Sequence, residues 1–290
     1  FSDTYTTNIA KLETYKTETT NEIVERKIPS KNKKKIFLKP NGKYYALLIG
    51  NSKYTNGWDN LVSPINDINA IKEVLDEKYD FEEILMVNNG TKKDIYKAFT
   101  DLSKLTTTND YVLIYYSGHG QIKAEQAYWI PTDGSKTWGS GDWINISEID
   151  IFLTEIKAHH LAVLVDSCFV GSKFKGMNII DDIEFYDDDK AQYAKSLKSS
   201  LNLRSRSVLS SGTSGEVSDT VKGTGHSRFA LSIINQLNVF YKKSYPLDLE
   251  QMAYLMKINY TKYQKPFMYH PDTWQHGGGN FIFIPKKNIK

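Results

Sequence analysis

A thiol and an imidazole are the residues best suited to covalent chemistry in this chain. Cys168 is the only cysteine among 290 residues, and it follows His119 by 49 positions. A cysteine nucleophile is partly thiolate near neutral pH and needs a nearby base or cation to raise that fraction. Histidine suits the role, because its ordinary pKa lies near working pH and it can pass the proton on to a leaving group. His119 stands between two glycines in Ser-Gly-His-Gly, residues 117–120, and Cys168 in Asp-Ser-Cys-Phe-Val-Gly, residues 166–171. A lone cysteine is usually a small, inert core residue. The company this one keeps points to chemistry instead.

Both segments follow runs that read as buried strands. Residues 161–165, Leu-Ala-Val-Leu-Val, stop at Asp166-Ser167, and residues 111–116, Tyr-Val-Leu-Ile-Tyr-Tyr, stop at Ser117. Short apolar, β-branched runs closed by polar turns are the pattern of parallel strands covered on both faces. Groups at the carboxyl ends of such strands lie where open α/β sheets present their ligands. Glycine at 118 and 120 is expected to let the backbone turn tightly beside a substrate carbonyl.

In this order and spacing the two segments resemble the active-site segments of the caspase-like cysteine peptidases, where the histidine precedes the cysteine by about 50 residues. The likeness runs roughly from Tyr44 to Pro285. It is closer to metacaspases and bacterial caspase homologues than to animal caspases, which carry a Gln-Ala-Cys type segment. The resemblance implies a Cys168–His119 dyad, with the backbone N–H groups of Gly120 and Cys168 as oxyanion hole. No third catalytic residue is assignable from the sequence. Animal caspases take an aspartate in a cationic pocket, whereas the similar metacaspases use two aspartates to take Arg or Lys. Asp67 and Asp166 match those two positions, so cleavage after Arg or Lys is expected. Asp67 has a second reading, as a carboxylate near a helix start that complements the dipole. By the same analogy Ser210, Ser211 and Gly212 are expected along the pocket wall.

Two other readings stay open. One is a clostripain- or separase-like peptidase with the same dyad and different pockets; the other is a catalytically silent caspase-like scaffold that binds a partner. No metal is expected to take part in the chemistry. Many metacaspases depend on calcium, so the resemblance implies it as an activator. The acidic cluster Asp181, Asp182, Glu184 and Asp187-Asp188-Asp189 lacks an EF-hand pattern and reads as a solvated stretch. His270, His276 and Cys168 lack zinc-site spacing. His159 and His160 are adjacent, so a strand points them to opposite faces, and they read as strand-entry residues.

The elements that must position the dyad can be read in order. Residues 44–50 form a first strand. Ser63 is expected to cap a helix with Pro64 at its first position and Ile68, Ile71 and Leu75 on its inner face. A short strand covers residues 84–87, and Thr91 with Asp94 resembles a capping box for a helix bearing Ile95, Phe99, Leu102 and Leu105. Residues 128–131 and 142–144 suggest a small hairpin, and 148–156 a helix. Beyond the cysteine come a strand at 207–212, a helix at 229–237, and a helix capped by Asp248 with Met252, Leu255 and Met256 inward. Residues 281–284 are a last strand, placed antiparallel at the sheet edge by the resemblance. The expected fold is one α/β domain, a mostly parallel six-stranded sheet flanked by helices on both faces.

Residues 1–43 read as a polar extension, 44–285 as the peptidase domain and 286–290 as a basic tail. Within the domain, 44–170 and 207–285 correspond to large- and small-subunit-like parts, joined by a 171–206 linker in which periodicity dissolves. Linkers of this length are exposed to nicking, and Lys190, Lys195, Lys198 and Arg204 are the expected points of self-cleavage. A net charge of +3 does not ask for a nucleic-acid partner. A single cysteine excludes intrachain disulfides, and no apolar run is long enough to span a membrane. A protein or peptide substrate and a cytoplasmic location are expected. Because the sequence opens on Phe1 rather than Met, a fragment or processed form is expected, and the polar 1–43 extension suggests an upstream regulatory domain or activating partner.

Overall fold

The computed structural model describes residues 36–137, 140–167, 178–179, 190–212, 220–259 and 266–289. The strands are β1 (Tyr44–Gly50), β2 (Phe81–Asn88), β3 (Tyr111–Ser117), β4 (Gly120–Lys123), β5 (Gln126–Trp129), β6 (Ile144–Asn145), β7 (His160–Asp166), β8 (Asn178–Ile179), β9 (Ser205–Ser210), β10 (Leu247–Asp248), β11 (Phe267–His270) and β12 (Ile282–Phe283). The helices are α1 (Ser63–Lys78), α2 (Lys92–Leu105), α3 (Ile146–Glu155), α4 (Lys190–Asn202), α5 (Arg228–Lys243) and α6 (Leu249–Asn259).

The main sheet has the order β2-β1-β3-β7-β9-β11-β8. Its first five strands run parallel, β11 is antiparallel to β9, and the two-residue β8 is antiparallel to β11. Six strands of ordinary length thus form the mostly parallel sheet that the apolar runs predict, with β8 added at the edge. Period-two alternation divides its side chains between two cores. Ala46, Leu48, Leu113, Tyr115, Ala162 and Leu164 face α1, α5 and α6, where Ile68, Ile71, Leu75, Phe229, Ile233, Leu237, Met252 and Leu255 meet them. Leu47, Ile49, Val112, Ile114, Val163 and Val165 face α2 and α3 through Ile95, Phe99, Leu102, Ile149 and Leu153. Each β7 side chain is buried, as an interior strand covered on both faces requires.

Several local expectations change. The antiparallel strand of the sheet is β11, not residues 281–284. Phe281, Ile282, Phe283 and Ile284 are all buried in the α5–α6 core, and Ile282–Phe283 pairs instead with Leu247–Asp248. A segment buried at every position carries no alternation by which to choose its sheet. The expected hairpin begins earlier, as β4 and β5, with β6 as third strand. Its turn residues Ala124 and Glu125 both take positive φ, 46° and 64°, a conformation usually signalled by Asn-Gly. Ser63 lies inside α1 rather than capping it; Val62 is the N-cap and makes no side-chain cap bond. The Ile65 N–H is met instead by the Ser52 hydroxyl at 3.2 Å.

The Thr91–Asp94 capping box is present, and Asp248 accepts the Gln251 N–H at 2.8 Å. The expected extension and tail also share in the domain: Ile36 and Leu38 are buried, and Leu38 bridges to Ile289.

Within residues 171–206, where no element was expected, α4 covers Lys190–Asn202. Leu197 and Leu201, four apart, bury one face of it, and the Tyr193 hydroxyl bonds Asp248 and Gln251 at 3.1 and 2.6 Å. Lys and Ser crowd the rest of the helix, which hides its two-leucine stripe in the sequence.

Candidate active site

The carboxyl ends of β1, β2 and β3 are tied into one platform. Asn51, just past β1, donates its N–H to the Ser117 carbonyl at 2.9 Å. Its side chain donates to the Ile130 carbonyl and accepts the Gly90 N–H at 3.2 and 2.9 Å. Asn89, in the left-handed region, accepts the N–H groups of Ser52 and Lys53 at 2.8 Å each. These bonds satisfy backbone groups that strand ends would otherwise leave open.

His119 is held on this platform between β3 and β4. Its N–H donates to the Tyr54 hydroxyl at 2.9 Å, and its carbonyl accepts the Tyr116 hydroxyl at 2.8 Å and the Ile130 N–H at 3.0 Å. The Tyr54 and Trp58 rings lie 4.7 and 5.2 Å from the imidazole, centroid to centroid. His119 Nε2 is 2.8 Å from the Asp59 carbonyl. A carbonyl only accepts, so Nε2 carries the hydrogen, and Nδ1 is the basic nitrogen of the neutral ring. The orienting group that no side chain in the sequence offered is thus a backbone carbonyl, which has no sequence signature.

Gly118 does not adopt positive φ, and neither does Gly120. What Gly118 provides is room. A Cβ there would lie 2.9 Å from the hydroxyls of both Tyr116 and Tyr54, the two groups that hold His119. Gly120 is the first residue of β4, opposite Trp129.

The β3–β7 register pairs Ser117 with Asp166, and the Gly118 N–H reaches the Asp166 carbonyl at 3.4 Å. The two motif segments therefore leave neighbouring parallel strands at the same level. Cys168, two residues past Asp166, lies outside the described residues, as do residues 181–189 with their acidic cluster. Among the described residues no group of three or more His, Cys, Asp or Glu is arranged to hold a metal.

Asp67 and Asp166 come together around one serine. Asp67, the fifth residue of α1, is fully buried, and its carboxylate accepts the Ser227 N–H at 3.3 and 3.4 Å. The Ser227 hydroxyl donates to Asp166 Oδ2 and accepts the Ala230 N–H at 2.9 Å, capping α5. Tyr115 also donates to Asp166 Oδ2, at 3.1 Å. His226 Nδ1 meets Asp67 Oδ1 at 2.7 Å. Asp67 thus turns across to the start of α5, and the first turn of α1 holds no acidic residue. Burial, and after it the neighbouring Asp67, pushes the Asp166 carboxyl up to about 7. Burial also raises Asp67, against the opposing pull of His226. Neither His226 nor Ser227 was expected at the site; Ser227 was readable as a helix cap, but nothing local to His226 marks it.

The other expected residues are placed as follows. Ser210 donates its hydroxyl to the Gly212 carbonyl at 3.2 Å, and the Ser211 N–H continues the β7–β9 ladder to the Val165 carbonyl at 2.9 Å. Both are buried next to the end of β7. Lys195 and Lys198 are exposed on α4. The Arg204 carbonyl accepts two N–H groups, from Gly277 at 2.9 Å and Gly279 at 3.1 Å. Lys190 is the first residue of α4. No helix among the described residues is long and apolar enough to cross a membrane.

Comparison with known proteins agrees with this architecture. Protein GSU0716 from Geobacter sulfurreducens superposes with a TM-score of 0.53 at 16% identity, covering 83% of this chain and 99% of its own. Caspase-1 from Spodoptera frugiperda gives the same score at 11% identity, covering 84% and 93%. These two likenesses speak to the fold. No curated protein matches the sequence. The family model described as the caspase domain matches residues 43–272, which take in all seven strands of the main sheet, His119 and the Asp67–Asp166 pair, and the chain belongs to that family of cysteine peptidase folds.

Proposed function

We propose that this chain is a cysteine endopeptidase that uses Cys168 and His119 and cleaves after Arg or Lys. The observation that carries the reading is the buried pair Asp67 and Asp166, bridged by Ser227 at the strand end that precedes the cysteine. Two carboxylates out of water favour a cationic side chain over an anionic one. His119 Nδ1 takes the thiol proton, and the thiolate attacks the carbonyl carbon of the scissile bond. The oxyanion is received by the N–H groups of Gly120 and Cys168. Collapse breaks the C–N bond as His119 returns the proton to the amine, leaving a thioester. His119 then takes a proton from water, whose oxygen displaces the sulfur and releases the acid. Asp59, Tyr54 and Trp58 keep the imidazole in one orientation through these steps.

Calcium enters this reading only as an activator, and the steps above use protein groups and water alone. Self-processing, on this reading, falls within residues 171–189 or after Lys190, the first residue of α4. A peptide bond must be extended to be cut, whereas Lys195 and Lys198 are helical and the Arg204 carbonyl is doubly bonded.

The test is substitution. Cys168→Ala and His119→Ala should each remove nearly all peptidase activity, and the double variant should lose little more, because such units are strongly non-additive. A thiol-directed peptidyl probe should label Cys168. Substantial turnover by Cys168→Ala overturns the mechanism, and failure to label or cleave favours the silent scaffold.

A further inference from the structure

The two pocket carboxylates are not equally free. Asp166 receives hydroxyls, from Tyr115 and Ser227. Asp67 receives a nitrogen that can carry charge, His226 Nδ1, at 2.7 Å, with both residues buried. The turn that brings His226 there is closed on itself. The Val221 N–H donates to the His226 carbonyl at 2.8 Å, the Thr224 N–H to the Val221 carbonyl at 3.0 Å, and the His226 N–H to the Thr224 hydroxyl at 3.1 Å. Gly223 and Gly225 take φ of +82° and +73°, where any side chain would be strained. The Asn66 amide on α1 donates to the Gly225 carbonyl at 3.0 Å. The turn is therefore fixed to the same helix that carries Asp67, and His226 is delivered to the carboxylate by a rigid loop.

We propose that His226 is a specificity-determining residue of this pocket, the resident partner of Asp67 with which an incoming Arg or Lys side chain must share that carboxylate. The proposal rests on the Arg/Lys reading of the site. A carboxylate only accepts, so Nδ1 donates the hydrogen, and Asp67 meets the substrate already bonded to an imidazole. The substrate cation then meets Asp166, which accepts the Tyr115 and Ser227 hydroxyls, and an Asp67 already engaged by the imidazole, which limits how strongly the enzyme prefers charge.

Three matched peptides test this, with Arg, Lys or citrulline, the neutral isostere of Arg, before the cut. His226→Asn keeps an N–H near the position of Nδ1 and removes the titratable ring; His226→Ala removes both. Freeing Asp67 should raise the Arg-to-citrulline ratio of kcat/KM about tenfold in His226→Ala, the worth of one charge-assisted bond, and by less in His226→Asn, which keeps an N–H. Adding Asp67→Asn should abolish the gain. A purely structural histidine would lower all three peptides together and leave the ratio alone, which overturns the proposal. A second readout needs no turnover: in the inert Cys168→Ala protein, the His226 imidazole NMR signals should move on adding N-acetyl-arginine amide and not its citrulline analogue. Signals unmoved by the arginine compound overturn the proposal, whatever peptide the enzyme cleaves. Signals that move in a protein whose active form cleaves none of the peptides support the pocket and refute the peptidase reading.

Discussion

Replacing Asp166 with Asn should make the protein more stable and less selective at once. Asp166 is 5% exposed, and burial with Asp67 nearby raises its carboxyl from 3.8 to about 7. In the unfolded chain it titrates near 4. Below that pH the group is protonated in both states, and the fold bears no ionisation cost. As pH rises toward 7 the unfolded chain gives up the proton while the folded one keeps it, so stability falls, and above about 7 the loss is complete. A gap of about 3 units amounts to roughly 4 kcal/mol. Asn avoids this cost and can still present an oxygen to Ser227 and Tyr115; a poorer fit of its NH2 group takes back about 1 kcal/mol. The net gain of about 3 kcal/mol corresponds to a rise in Tm of roughly 6–12 °C for a domain of this size. The assay is thermal unfolding of Cys168→Ala with and without Asp166→Asn, from pH 4 to 9. The difference should be small at pH 4 and grow to a plateau above pH 7. In the active background, the same change should cost about tenfold or more in kcat/KM on Arg and Lys peptides. A Tm difference that does not grow between pH 5 and 8 would refute the buried-carboxylate argument. A stabilised enzyme with unchanged Arg/Lys preference would refute its role in the pocket.

Other expectations follow from the same geometry. Gly118→Ala puts a methyl group against the hydroxyls of Tyr54 and Tyr116, so kcat should fall at least tenfold through displacement of His119, with KM nearly unchanged; full activity would show that the cradle tolerates the shift. Tyr54→Phe removes the acceptor for the His119 N–H and should cost about 1–2 kcal/mol of stability, read as a lower Tm, along with a fall in kcat. If the chain processes itself, mass spectrometry of active protein should find cuts up to Lys190 and none after Lys195, Lys198 or Arg204; equal fragments in Cys168→Ala would exclude self-processing.

The sheet was legible because its central strands are unbroken apolar runs; β1 was read to the residue, β3 to within one at one end and β7 to within one at each end. The helices with periodic faces or side-chain caps, α1, α2, α3, α5 and α6, were legible for related reasons, although the cap expected for α1 was not there. What stayed hidden depends on long-range partners. Residues 267–270 are a strand because β9 offers an open edge, not because Phe-Met-Tyr-His announces one. α4 is amphipathic by only two leucines, and its tyrosine finds partners more than 50 residues away. The Asp67–His226 pair spans 159 positions, and the Asp59 carbonyl is a backbone atom that any residue supplies. The motifs thus indicated which side chains to look for, while the groups that orient them arise only from the folded chain.

The central claim is best tested by kcat/KM on peptides that differ only in the residue before the cut, measured with the wild-type protein and with Cys168→Ala. The account predicts cleavage after Arg and Lys, with Arg at least as good as Lys because its planar fork can engage both carboxylates, little or none after Asp, and none of it in Cys168→Ala. A preference for Asp, or cleavage that survives the loss of the thiol, would contradict it.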